Sequence, residues 1–226
     1  MSTPLQASRN PQSRARILIV DDHPMVRERL TEIINRECDL IVCGEAEDRH
    51  QAIEAIKTCP PELVIVDLTL KNSDGLELIK DIRSRWPKLA VLVVSMHDES
   101  LYAERCLRAG AQGYITKQEA TRNILLAIRC VLSGNIYLNE RISTQILSRL
   151  TAQPNAASAT PTDLLADREL QVFELTGRGL NTRQIAQSLR LSPKTVETYR
   201  GRIREKLQVK DTLALLQMAI SWVHKD

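Results

Sequence analysis

After a polar stretch over residues 1–15, which reads as a disordered tail, the chain settles into two alternating rhythms of apolar positions. Short unbroken apolar runs suit strands buried on both faces, and longer stretches with apolar residues every three or four positions suit amphipathic helices. Arg16-Ile17-Leu18-Ile19-Val20 is the first such strand, and Pro24 opens a helix striped by Val26, Leu30 and Ile33. Leu40 to Cys43 predicts a short second strand, followed by a helix marked by Ile53 and Ile56. The third strand, Leu63-Val64-Ile65-Val66, runs into Asp67 and a turn at Asn72-Ser73-Asp74-Gly75. A helix on Leu76, Ile79 and Ile82 leads to a fourth strand, Leu89 to Val94, which ends at Ser95. Leu101 to Arg108 is helical, Gln112 to Thr116 is a fifth strand, and Lys117 introduces a helix on Ile124, Ala127, Ile128 and Val131. Parallel crossovers need a helix to carry them, so this alternation predicts an α/β doubly wound five-stranded parallel sheet.

Past residue 135 the pattern changes. Asn139 to Leu150 reads as one more helix, on Ile142, Ile146 and Leu150, and Thr151 to Thr162 is a small polar stretch with two prolines that reads as a linker. The rest is all helical. Asp167 caps a helix that Gly177 and Gly179 end, Asn181 begins a second with Ile185, Ala186 and Leu189, and Arg190-Leu191-Ser192 turns into a third. The expected organisation is a tail (1–15), an α/β domain (16–135), a helix and linker (136–162) and an all-α domain (163–226).

Charge sharpens this division. The formal net charge is only +3, but Met1–Thr162 is neutral and the excess belongs to the last domain, where Lys194–Lys210 holds six basic residues to two acidic ones. A neutral front and a locally basic back imply a domain for small ligands or proteins joined to one that meets a polyanion. The five cysteines, Cys38, Cys43, Cys59, Cys106 and Cys130, have no metal-ligand spacing and read as reduced residues of a cytoplasmic protein. No apolar run is long enough to span a bilayer, and the first residues lack the apolar core of a secretory signal.

The strand ends carry the candidate chemistry. Asp21 and Asp22 follow the first strand, Asp67 the third, Ser95 the fourth and Lys117 the fifth. If the first and third strands are neighbours, three carboxylates converge beyond the carboxyl edge of the sheet, where open α/β sheets bind ligands. Three clustered acids call for a cation, and an all-oxygen donor set suits Mg²⁺. Lys117 adds a fixed positive charge and Ser95 a hydroxyl donor, so the set can stabilise a phosphoryl group in transfer while Asp67 attacks as nucleophile.

Val20-Asp21-Asp22-His23-Pro24, Asp67 with Asp74-Gly75, Ser95, and Gly113-Tyr114-Ile115-Thr116-Lys117 together resemble the receiver domain of bacterial two-component response regulators, a flavodoxin-like fold. The resemblance spans about Arg16 to Ser133. It implies phosphorylation of Asp67 by a sensor histidine kinase, with Mg²⁺ on Asp22 and Asp67, Asp21 assisting through water, and the Thr69 carbonyl as a further ligand. It also implies that Tyr114 rotates as Ser95 moves toward the phosphoryl group, and that the domain is a phosphoacceptor rather than an enzyme, with only weak self-phosphorylation and autodephosphorylation. Lys71 and Gln118 stand where many receivers have proline, and Thr69 and His97 lie near enough to the site to affect water access.

In the third helix of the last domain, Ser192 caps, Pro193 fits the first turn, and Val196, Tyr199, Ile203 and Leu207 form the buried stripe. The other face presents Lys194, Glu197, Thr198 and Gly201, flanked by Arg200, Arg202 and Arg204, as in a helix-turn-helix whose second helix enters the DNA major groove. Asp167-Arg168-Glu169, Gly179-Leu180-Asn181, Gln184-Ile185-Ala186, Leu191 to Tyr199 and Arg204-Glu205-Lys206-Leu207 resemble the LuxR-type DNA-binding domain of NarL/FixJ response regulators. That resemblance puts Glu197, Thr198 and Gly201 at base edges and Lys194, Thr195, Arg200 and Arg202 on phosphates of double-stranded DNA. It implies a homodimer through Leu213, Leu216, Gln217 and Ile220, a contact with RNA polymerase, and no membrane partner. The expected protein is a cytoplasmic transcription regulator in which phosphorylation of Asp67 controls dimerisation or domain release. Two rivals stand beside it: a magnesium-dependent phosphohydrolase, which would lack a second acid at Thr69, and a constitutive DNA binder whose front domain serves only as a protein platform.

Overall fold

The computed structural model describes residues 14–71, 73–151 and 164–223. Residues 1–13 of the expected tail, Asn72 of the expected turn, residues 152–162 of the expected linker, and residues 163 and 224–226 of the expected all-α domain lie outside the described residues. The chain forms two compact units, Met1–Ile146 and Leu147–Asp226.

In the first unit β1 (Ala15–Val20), α1 (Pro24–Asn35), β2 (Leu40–Ala46), α2 (Arg49–Thr58) and β3 (Leu63–Val66) are followed by two short strands, β4 (Thr69–Leu70) and β5 (Ser73–Asp74). Then come α3 (Gly75–Arg85), β6 (Ala90–Ser95), α4 (Glu99–Ala109), β7 (Gly113–Thr116) and α5 (Lys117–Leu132), and α6 (Glu140–Thr151) carries the chain past Ile146, where the first unit ends. The main sheet has the order β2-β1-β3-β6-β7 and is parallel throughout. On one face Ile17, Ile19, Leu63, Ile65, Leu92 and Ile115 pack against Leu30 and Ile34 of α1 and Ile124, Ala127 and Ile128 of α5. Because β1 and β3 are neighbours, the acids that follow them come together.

Several details differ from the reading of the pattern. The second strand extends to Ala46, through Gly44 and Glu45, with a register skip that sets Val42 opposite Ile17 and Gly44 opposite Leu18. Cys43 is the extra residue of this β-bulge, which shifts the in-out alternation and hides the strand's continuation to Ala46 from a period-of-two reading. The expected loop after Asp67 instead forms an antiparallel pair, Thr69 with Asp74 and Leu70 with Ser73. That hairpin delivers Asp74 to the start of α3, where its side chain accepts from the Leu76 N–H at 2.8 Å. Asp48, Asp98 and Thr116 cap α2, α4 and α5 in the same way. At the edge of the sheet Tyr137 pairs with Gly113, its carbonyl accepting from the Tyr114 N–H at 2.9 Å. The following turn is tied to α4, the Asn139 N–H donating to Glu99 Oε1 at 3.1 Å.

The second unit contains α7 (Asp167–Gly177), α8 (Thr182–Leu189), α9 (Pro193–Leu207) and α10 (Thr212–Val223). Ser192 caps α9 as expected, and Asn181, read as beginning α8, is its cap. Asp167 is not the cap of α7 but its first residue; Glu169 instead reaches back to the Ala166 N–H at 2.8 Å and also holds Lys206 Nζ at 2.6 Å. Gly177 lets α10 approach α7, since a Cβ there would lie 2.4 Å from the Ala219 carbonyl oxygen. Leu215 and Ala219 are the buried residues of α10, and Trp222 meets Phe173 with ring centroids 5.4 Å apart.

Candidate functional site

Each strand of the sheet's middle ends on a polar residue that the backbone turns beyond the edge. Asp21, Asp22 and Asp67 are all buried, at 2%, 5% and 3% exposure, although each carries a carboxylate. Burial of like charges this close requires compensation. Lys117, first residue of α5, supplies it: its Nζ lies 2.6 Å from Asp21 Oδ2 and 2.8 Å from Asp67 Oδ2. One ammonium therefore serves two acids, with Asp22 still beside them. His23 Nδ1 approaches Asp22 Oδ1 at 2.7 Å and Asp21 Oδ1 at 3.1 Å. One ligand atom from each of Asp21, Asp22, His23 and Asp67 falls within 4.8 Å of the others, a spacing that could hold a metal ion.

Burial pushes the Asp67 carboxyl above the ordinary range; Lys117 opposes this, Asp21 reinforces it, and the Thr69 backbone N–H donates to the carboxylate and pulls it back down. For Lys117, burial disfavours the charge, but Asp67 and Asp21 outweigh it and hold the ammonium's pKa above the usual lysine value. Ser95 and Tyr114, both fully buried, meet around His97. The Tyr114 hydroxyl donates to the His97 carbonyl at 2.9 Å, and the His97 N–H donates to Ser95 Oγ at 3.3 Å. His97 Nε2 also lies 3.1 Å from Thr69 Oγ1, which links the residue two past Asp67 to the residue two past Ser95. Burial carries the Tyr114 hydroxyl well above its usual pKa, so it stays a donor.

Three contributors were given no chemical role in the sequence reading, although His23 and Gly75 stand in its motifs. His23 is an exposed residue beside two acids and within the Val20–Pro24 motif. Arg27 donates to the Asp21 carbonyl at 2.6 Å from one turn into α1. Gly75 is required by close approach: a Cβ there would stand 2.2 Å from the Asp67 carbonyl oxygen and 2.6 Å from Leu68 Cα. Lys71 pairs with Glu47 at 2.9 Å, which anchors the β4–β5 hairpin to the end of β2.

On α9, Val196 and Ile203 are buried, while Lys194, Glu197, Thr198 and Arg202 are exposed. Thr195 is half-buried, its hydroxyl 2.7 Å from that of Ser192. Gly201 faces open space, with nothing within 4 Å of an added Cβ. Arg200, expected on a phosphate, turns inward to Thr182, Glu197 and Thr176. On α10, Leu213, Gln217 and Ile220 are exposed and Leu216 is half-buried, on the face that does not carry Leu215 and Ala219.

A parallel sheet with a lysine-bridged acid cluster at its carboxyl edge, joined to a capped helix-turn-helix, defines a receiver domain coupled to a DNA-binding domain. Residues 17–129 match the response regulator receiver domain family, and residues 163–219 match the luxR family of bacterial regulatory proteins. The chain belongs to the two-component response regulators that join a receiver to a LuxR-type DNA-binding domain. It is 32% identical over 209 residues to the oxygen regulatory protein NreC of Staphylococcus aureus, 91% of this chain and 96% of that protein. A LuxR-family two-component response regulator from Aurantimonas sp. SI85-9A1 is 34% identical, with a TM-score of 0.57 over 61% of this chain and 99% of that one. RcsB from Salmonella enterica serovar Typhimurium, solved bound to promoter rprA in the presence of phosphomimetic BeF3-, is 25% identical, with a TM-score of 0.60 over 92% of this chain and 100% of that one.

Proposed function

We propose that Asp67 is the phosphoacceptor of a switch that controls DNA binding through the helices α8 and α9. The observation that carries this reading is the single Lys117 ammonium shared between the buried Asp21 and Asp67 carboxylates. An acid held this way is desolvated, oriented and kept from collapsing onto its neighbour, as a nucleophile toward phosphorus must be. An Asp67 carboxylate oxygen attacks the phosphorus of a sensor histidine kinase's phosphohistidine, the P–N bond breaks, and its electron pair leaves on the imidazole, which takes up a proton from solvent. Lys117 then offsets the new charge, and Ser95 donates its hydroxyl to a phosphoryl oxygen. Small acyl phosphates could serve as weak donors, and slow hydrolysis resets the acid; no separate substrate is turned over.

The donor set fits Mg²⁺: three buried carboxylates in close convergence offer hard oxygen ligands, with the exposed His23 imidazole beside them and no thiol among them. Asp21, Asp22 and Asp67, with the Thr69 carbonyl, would hold it, and when bound it would neutralise the oxygens of the transferring group. Tyr114, whose backbone N–H is bonded to Tyr137 and whose hydroxyl is bonded to His97, would pass the movement of Ser95 to the edge of the sheet.

We assign residues 16–135 to the receiver, 136–162 to a helix and linker, and 163–226 to the DNA-binding domain. In the latter, Lys194, Thr195 and Arg202 would meet phosphates, and Glu197, Thr198 and Gly201 base edges. RcsB has been solved as two dimers bound to two parallel DNAs; by likeness, this chain would bind as a homodimer through Leu213, Leu216, Gln217 and Ile220 and act on RNA polymerase. No helix among the described residues is long and apolar enough to cross a membrane, and we assign the protein to the cytoplasm, where its DNA and kinase would be. The test is retention of the full chain on a pool of randomised duplexes, with sizing, with and without Mg²⁺ and beryllofluoride. Tighter retention and a larger species with both additives are expected; equal retention in all conditions would favour the constitutive binder.

A further inference from the structure

Arg200 sits on the helix that is read as entering DNA, yet its side chain is only 14% exposed, against 59% for the Glu197 side chain one turn earlier. Its Nη1 donates to Thr182 Oγ1 at 2.8 Å, and that hydroxyl donates in turn to Glu197 Oε1 at 2.6 Å. Nη1 also lies 3.4 Å from the same carboxylate oxygen. From its other side, Nη2 donates to Thr176 Oγ1 at 3.5 Å, a hydroxyl already anchored on the Val172 carbonyl at 2.7 Å. The guanidinium is therefore spread over α7, α8 and α9, and the chain of hydrogen bonds through Thr182 runs in one direction, toward Glu197.

A phosphate anchor must present its charge at the surface, as the exposed Lys194 and Arg202 do. Arg200 does not. A carboxylate facing DNA has the opposite difficulty: it meets a strongly negative surface and is tolerated only where a donor meets it. In the major groove the fitting donor for a carboxylate is the cytosine amino group. Both contacts from α8 and Arg200 fall on Oε1 of Glu197, which leaves Oε2 as the oxygen that a base amino group would meet.

We infer that Arg200 is a positioning residue for base recognition and not a phosphate contact: acting through Thr182, it fixes the Glu197 carboxylate to accept from a cytosine amino group. The inference rests on the reading that α9 enters the major groove. Freezing a flexible carboxylate in advance removes an ordering cost at binding, and it makes the preference for that base depend on a threonine of another helix.

The experiment uses the full chain with Mg²⁺ and beryllofluoride, selecting duplexes from a randomised pool and then titrating the duplex selected by the wild type at several salt concentrations. Thr182→Val should lose roughly ten-fold of the preference for a C·G pair at one position of each half-site. It should leave the rest of the site and the salt slope unchanged, and Thr182→Ser should restore the preference. Arg200→Gln should behave like Thr182→Val, whereas Lys194→Ala, which removes one phosphate contact from each subunit of the dimer, should lower the slope by about 1.8 without altering the preference. A slope lowered by about 1.8 in Arg200→Gln, with the preference intact, would make Arg200 a phosphate contact and overturn the inference. If Arg200→Gln does not fold, Thr182→Val decides: an unchanged C·G preference there refutes the relay. A Lys194→Ala variant that binds with wild-type affinity and slope would instead remove α9 from the groove, the failure of the underlying reading.

Discussion

Replacing Lys117 by methionine keeps most of the side chain's volume and removes its charge, leaving three buried carboxylates with no ammonium between them. The cost has a ceiling set by the alternative open to the site, which is to protonate one acid. For a carboxyl that ordinarily titrates near 4, holding a proton at pH 7 costs about 1.4 kcal/mol for each of three pH units, or ~4 kcal/mol. Breaking a buried ion pair by deleting one partner costs about 3–5 kcal/mol in general, so both routes agree. In a unit of this size ~4 kcal/mol corresponds to a fall of about 10–15 °C in melting temperature. Because the loss is set by protonation, it should shrink by about 1.4 kcal/mol for each unit the pH is lowered toward 5. A divalent cation in the same place should recover much of it, so Mg²⁺ should raise the variant's melting temperature more than the wild type's. The assay is thermal melting of both proteins at pH 7 and 5.5, in EDTA and in Mg²⁺. A variant that melts with the wild type, or a deficit that ignores both pH and Mg²⁺, would refute the charge argument.

Further expectations follow from single contacts. Gly75→Ala forces a methyl against the Asp67 carbonyl and Leu68 Cα, so it should cost about 1–3 kcal/mol in urea unfolding and weaken Mg²⁺ binding as Asp67 is displaced. Burial raises the Glu99 pKa, so the fold favours its protonated form and the stability this group contributes is present below the usual carboxylate range and lost as pH rises through the raised value. Glu99→Gln, which keeps the acceptor for the Asn139 N–H, should therefore melt higher than wild type at pH 7–8, with the gap closing toward pH 4.5; a gap independent of pH would contradict this. Gly201→Ala meets no neighbour and should stabilise α9 by up to about 1 kcal/mol by its helix propensity. Its methyl would occupy space that a base edge needs, so fluorescence anisotropy should report weaker DNA binding.

The acid cluster was legible because its strands are unbroken apolar runs, so the polar residue that ends each one stands out, and neighbouring β1 and β3 follow from the usual winding of such sheets. Burial of Lys117 between two of the acids was not legible, since sequence gives a residue's place on the sheet edge but not which carboxylate its long chain will reach. The β2 bulge and the β4–β5 hairpin were hidden for another reason. A bulge breaks the period-of-two signal at Cys43, and two-residue strands such as Thr69–Leu70 are too short to have a period at all. Arg200 is the clearest case on the second unit: helical spacing sets it on the flank of α9, where a phosphate contact is a natural reading. The hydroxyls of Thr176 and Thr182, on two other helices, decide its direction, and only packing reveals them.

The most direct test of the account is intact mass of the full chain after incubation with Mg²⁺ and a small acyl phosphate, compared with Asp67→Asn and followed by peptide mapping. One phosphoryl adduct on the peptide carrying Asp67, present in the wild type and absent from the variant, is the predicted result. An adduct on another residue, or none under conditions that label a known receiver, would contradict it.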